Sequence, residues 1–157
     1  MDAIGLQTLQ AELQDDIRVA LDASDKATER FARGDEIARE ACAHQLCRLY
    51  NAIEQLALRI AKAFENNIDD EQGWHSALLG RLSIAIPGVR PAFFPTPLKA
   101  PLRELRAFRH VFVHAYELEF DPAKLGLLLK YAKAVADQLP EAVTTFMDKV
   151  SKEQGLE

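Results

Sequence analysis

The segment from Asp35 to Gln72 restricts the fold more than any other part of the chain. It contains no Gly and no Pro, and Cys42, Leu46, Leu49, Ile53, Leu56, Ile60 and Phe64 recur along it at spacings of 4, 3, 4, 3, 4 and 4. Apolar residues repeating at three and four lie on one face of an α-helix, whereas a strand would need alternation. A helix of about 30 residues rises roughly 45 Å, long enough to be the spine of a bundle. Asn66 and Asn67, followed by Asp69, Asp70 and Glu71, predict an end and a loop.

The remaining elements follow from the same period. Leu6, Leu9, Leu13, Ile17, Ala20 and Leu21 predict a first helix over Ala3 to Arg33. Gly34 is suited to stop it, and Asp35 to cap the next helix with Glu36 in the first turn. Trp74, Leu78, Leu79 and Leu82 predict a short helix from Gly73 to about Ala85, with Trp74 as its aromatic anchor. Pro87, Pro91, Pro95, Pro97 and Pro101 forbid a regular helix after it, and Val89, Phe93, Phe94 and Leu98 give that loop apolar anchors. A fourth helix is expected from Thr96 or Lys99 to about Glu117, with Leu102, Leu105, Phe108, Phe112 and Ala115 on its apolar face. Asp121-Pro122 predicts the start of a fifth, running to about Val150 and kinked or split at Pro140. No strand-period alternation and no internal repeat interrupts this pattern. The expectation is an all-α bundle of four to five helices, with residues 1–157 as one domain.

Composition adds exclusions. No stretch approaches the roughly 18 consecutive apolar residues that span a bilayer, and Asp2 and Glu12 argue against a leader peptide, so a cytoplasmic protein is expected. Cys42 and Cys47 are five apart, which turns their side chains about 140° from each other on a helix and predicts two packing thiols rather than a disulfide. The net charge of −5 is unevenly spread. Residues 81–116 hold six Lys/Arg and one Asp/Glu, between an acidic segment of net −7 and another of net −3. A local positive field attracts phosphate even in an acidic chain.

That basic segment contains Arg106-Ala107-Phe108-Arg109-His110-Val111-Phe112-Val113-His114-Ala115-Tyr116. On a helix, Arg106, His110 and His114 form one line at spacings of four, and Arg109 and Tyr116, seven apart, share a neighbouring face. Metal-free RNA cleavage needs a base for the 2′-hydroxyl proton, a cation for the phosphate and an acid for the leaving oxygen. Histidine serves as base or acid near neutrality, and arginine matches phosphate with a planar fork. One Arg and one His per chain are few, but two chains about a two-fold axis would present two of each. A zinc site is a competing reading, with His110, His114 and Glu117 as ligands and His75 as a possible fourth.

Arg109-x4-His114-x-Tyr116 resembles the R-x4-H-x-Y signature of HEPN proteins, specifically the HepT-like ribonuclease toxins. Trp74-His75-x-x-Leu78-Leu79, the Pro87-Gly88-Val89-Arg90-Pro91 loop and Phe108-Arg109-His110-Val111-Phe112 are similar to one HepT-like subgroup, so the resemblance covers roughly residues 35–140. It implies a HEPN helical bundle that forms a homodimer with the motif helices at the interface. It implies metal-independent cleavage of RNA by Arg109 and His114, without a cofactor. His110 stands where the family carries a polar residue, often Asn. Tyr116 matches the tyrosine that an MntA-type nucleotidyltransferase antitoxin modifies with AMP. Arg103, Arg106 and His110 would support RNA binding, and Arg90 and Arg103 could widen the groove. In an ideal helix His114 and Tyr116 stand about 200° apart, so either the helix unwinds near Ala115 or Tyr116 faces the site from the helix end. The alternative from a different class is a non-catalytic HEPN module that binds RNA, nucleotide or a nucleotidyltransferase through the same groove.

Overall fold

Two long helices form the frame: α1 (Ala3–Ala32) and α2 (Glu36–Phe64). Only three residues join them, with Gly34 at φ 77°, so the pair folds back as an antiparallel hairpin. Asp35 caps α2 by accepting from the Ala38 N–H at 2.7 Å, and Asp2 caps α1 by accepting from Gly5. Ala20, Ala23 and Ala27 of α1 are buried, as are Cys42 and Ala43 of α2, and small side chains let the two backbones approach closely. Arg59 of α2 donates to Asp16 of α1 at 2.7 Å, and Arg48 reaches Asp22 at 2.7 Å. Burial pushes the Asp16 carboxyl up while Arg59 opposes the shift. Leu6 and Leu21 sit at the fringe of the core rather than inside it.

The chain continues with α3 (Trp74–Leu82), α4 (Lys99–His114) and α5 (Pro122–Glu153), with one 3₁₀ turn, Thr96–Leu98, leading into α4. The structure, a computed structural model, describes residues 1–65 and 74–156, with the side chains of Trp74, His75 and Ser76 outside the description. The predicted turn at Asn66 to Glu71, the anchoring role of Trp74 and a ligand role for His75 fall outside it too. The architecture is all-α, and among the described residues the only bridge of sheet type joins Ile86 to Arg90. α5 packs on α1, α2 and α4, and α4 packs on α2 and α3. Among the described residues no helix is long and apolar enough to cross a membrane.

Three expectations about element ends need correction. α3 stops at Leu82, not Ala85, because the Leu82 carbonyl accepts from Phe93 and Phe94 of the following loop. α4 stops at His114, not Glu117. α5 runs unbroken through Pro140 to Glu153 instead of splitting, with Pro140 on the exposed face. Pro101 is tolerated in the first turn of α4, where backbone N–H groups need no helical partner.

The proline-rich loop is held by Arg90, whose side chain is fully buried. Its Nη1 donates to the carbonyls of Ile84 at 3.0 Å and Pro91 at 3.2 Å, and its Nη2 to that of Arg81 at 3.1 Å. Arg90 is therefore a structural clasp and does not widen any RNA groove, against expectation. Burial pushes its guanidinium down from the ordinary value, and the Glu65 carboxylate, 3.7 Å from Nε, opposes this. Pro87-Gly88 makes a type II turn closed by the Val89 N–H on the Ile86 carbonyl, with Gly88 at φ 76° supplying the left-handed position.

Candidate functional site

α4 carries the basic segment, and its two ends differ. Leu102, Leu105 and Phe108 bury one face against the bundle. Phe112 lies over the core edge, its ring 5.9 Å from that of Phe120, which returns along the connection to α5. That contact draws the chain back soon after His114. Ala115 takes an extended conformation (ψ 129°) while its N–H still donates to the Val111 carbonyl. The helix thus unwinds at Ala115, the first of the two options open from the sequence. Tyr116 is off the helix and fully exposed, so its expected alignment with Arg109 on one helical face does not hold.

Arg109 points the other way, onto α2. Its Nη1 donates to Asn51 Oδ1 at 3.0 Å, its Nη2 lies 3.2 Å from Glu54 Oε2, and its guanidinium stacks 4.5 Å above the Tyr50 ring. These contacts fix the direction of the guanidinium and engage both of its terminal nitrogens. Tyr50 is buried, and burial with the adjacent Glu54 charge pushes its phenol well above the ordinary range. Tyr50, Asn51 and Glu54 did not stand out in the sequence. Their one signal is that a Tyr and a Glu four apart adjoin the apolar stripe at Leu49 and Ile53, which a solvated helix face would not place there.

His114 is exposed at the last position of α4. Its Nδ1 lies 2.8 Å from the His110 carbonyl, and its ring is 4.4 Å from the His110 ring. A carbonyl only accepts, so this hydrogen bond requires the proton on Nδ1. The neutral ring then keeps the Nε2 lone pair toward solvent, the form a general base needs.

The structure therefore does not bring Arg109 and His114 together within one chain. They diverge by about 140° around α4 and lie about 7.5 Å apart along its axis. Beside Arg109 runs a groove of about 630 Å³, walled by α1, α2 and α4, with Val19, Cys47, Asn51, Ala52, Phe112 and Val113 among its lining residues. Val113 exposes much of its side chain there, while Val111, also exposed, lines a different pocket beside the connection to α5. At the other end of α4, Arg103 is exposed and Arg106 half-buried in the wall of a smaller pocket against α3. For the zinc reading, Glu117 lies beyond the helix end, and no group of three or more His, Cys, Asp or Glu among the described residues is placed to hold a metal ion.

Comparison with known proteins places this geometry in a family. No curated protein and no solved structure matches the chain. Residues 41–150, from early α2 to the last turns of α5, match the family described as HepT-like protein. The chain belongs to the HepT-like family of the HEPN superfamily.

Proposed function

We propose that the protein is a metal-independent endoribonuclease toxin that acts as a homodimer, with His114 of one protomer facing a phosphate gripped by Arg109 of the other. The observation that carries this reading is the divergence of the two side chains on α4. Arg109 is aimed along α2 and His114 off the helix end, so one chain offers them to different directions, whereas a two-fold axis beside α4 would offer one of each to the same phosphate. The groove, with the exposed Val113 in its wall, supplies apolar surface for the second copy. His114 Nε2 takes the 2′-hydroxyl proton and Arg109 stabilises the charge that builds on the phosphate. Arg103, Arg106 and His110 hold the strand along α4.

Tyr116 suits the regulatory role that the family implies. An MntA-type nucleotidyltransferase would join its phenol oxygen to the α-phosphorus of ATP, with loss of the phenolic proton and departure of pyrophosphate. Two residues from His114 on an exposed connection, the added adenylyl group puts bulk and negative charge where RNA phosphate must sit.

Mixing tests the pairing. Arg109→Ala and His114→Ala proteins are each expected to be inactive on transfer RNA in EDTA. Mixed and allowed to exchange protomers, they should regain activity, because the hybrid keeps one site with an intact Arg109 and His114. No recovery, with exchange demonstrated, would refute sites shared between chains. A non-catalytic RNA-binding module would leave wild-type protein without cleavage in the same assay.

A further inference from the structure

Outside the Arg109–His114 pair, the strongest unexplained feature is the pocket between α3 and the first half of α4. It has a volume of about 280 Å³, and its walls include Lys99, Arg103 and Arg106 of α4. The three cations sit at spacings of four and three, so they share one face of the helix. Among the described residues none of them makes an ion pair or side-chain hydrogen bond, and none that lines the pocket is acidic. The first turn of α4 also lacks an acid. Positive side chains near the positive end of a helix dipole weaken a helix, so stability alone does not account for them. An anion in the pocket would satisfy them.

The walls also have an apolar part, Leu79 of α3 and Leu102 of α4. Beside them Gly80 faces open space, with nothing within 4 Å of where a Cβ would stand. Cations with an apolar wall fit a phosphate with its nucleoside better than a bare inorganic ion. The volume, at the small end for ligand sites, suits a single such unit. The same face continues past Arg106 to His110 and His114 at two further spacings of four. Lys99 to His114 makes one stripe about 22 Å long on a straight helix.

We propose that this pocket is a substrate subsite that binds one nucleotide unit of a single-stranded RNA some distance from the cleaved bond, so that the strand runs along α4 from the pocket to His114. The inference rests on RNA being the substrate but not on its being cleaved.

The test measures binding of a uniformly 2′-O-methylated single-stranded RNA, which lacks the attacking hydroxyl, by fluorescence anisotropy over a range of KCl. Each phosphate contact on a single strand contributes about 0.7 to the slope of log K against log salt. Lys99→Gln and Arg103→Gln should each lower that slope by about 0.7. Gly80→Met should fill the pocket, weaken binding at least about threefold and, because Gly is the poorer helix former, leave thermal stability equal or higher. Lys133→Gln on α5, absent from the pocket, should change nothing. Wild-type slopes and affinities in the three pocket variants would overturn the subsite, even where wild-type protein cleaves RNA. Adenosine monophosphate binding as tightly as the strand would also overturn it, in favour of a free-nucleotide site. Pocket-dependent binding without cleavage of ordinary RNA would uphold the subsite and remove the ribonuclease reading.

Discussion

The guanidinium carbon of Arg109 lies over the ring of Tyr50, 4.5 Å from its centroid, above a side chain that is itself fully buried. A lysine could keep the charge but neither the stacking nor the fork toward Asn51 and Glu54. Arg109→Lys is therefore expected to lose about 10²-fold or more in RNA cleavage while its Tm falls by only about 2–4 °C. A double-mutant cycle with Tyr50→Leu should return a coupling of about 1 kcal/mol in urea unfolding. Wild-type rates for Arg109→Lys would remove Arg109 from the site.

His110 and His114 are expected to behave unequally. The bond that orients His114 is accepted by the backbone carbonyl of His110, which survives any side-chain substitution there. His110→Ala should cost less than about 10-fold in cleavage, and His114→Ala about 10²–10⁴-fold. Equal losses would mean that the His110 ring takes part in proton transfer.

Arg90 should be among the most sensitive positions for stability. Arg90→Met removes a buried cation that serves the carbonyls of Arg81, Ile84 and Pro91 and faces Glu65. Loss of about 3–5 kcal/mol is expected in urea denaturation followed by circular dichroism. A change below 1 kcal/mol would show that water replaces the clasp without cost.

The two thiols give a pH prediction. Cys42 and Cys47 are buried, which pushes both up to about 11. The folded state then holds protons that the unfolded state releases, so stability is intact below the ordinary thiol range and falls as pH rises toward 11. Each thiol contributes a slope of at most about 1.4 kcal/mol per pH unit in that window. Cys42→Ala should show a shallower alkaline decline than wild type in urea unfolding series. Identical declines would mean that the thiol gains access to water before global unfolding.

What could be read from the sequence depended on how local the cause was. The α2 stripe from Cys42 to Phe64 was legible because seven residues repeat one period, and the caps at Asp35 and Asp121 because each acts within three residues. The end of α4 was misplaced because Ala115 and Glu117 suit a helix. The contact that pulls the chain away, Phe120 on Phe112, spans a connection with no Gly or Pro until Pro122. The clasp role of Arg90 is not legible, because a cation in a basic segment suits a groove equally well and only the folded arrangement turns three carbonyls toward it. The candidates Arg109, His114 and Tyr116 stand out through the family signature they match. The partners of Arg109 on α2 lie 55 to 59 positions away, beyond any spacing rule.

Asn51 belongs to two structures at once. Its amide oxygen accepts from Arg109, and its side chain forms part of the groove wall beside Val113. Whatever settles in that groove presses on the same amide that aims the guanidinium. One exposed amide thus joins the groove to the guanidinium, so any molecule that rearranges Asn51 on entering the groove would also re-aim Arg109.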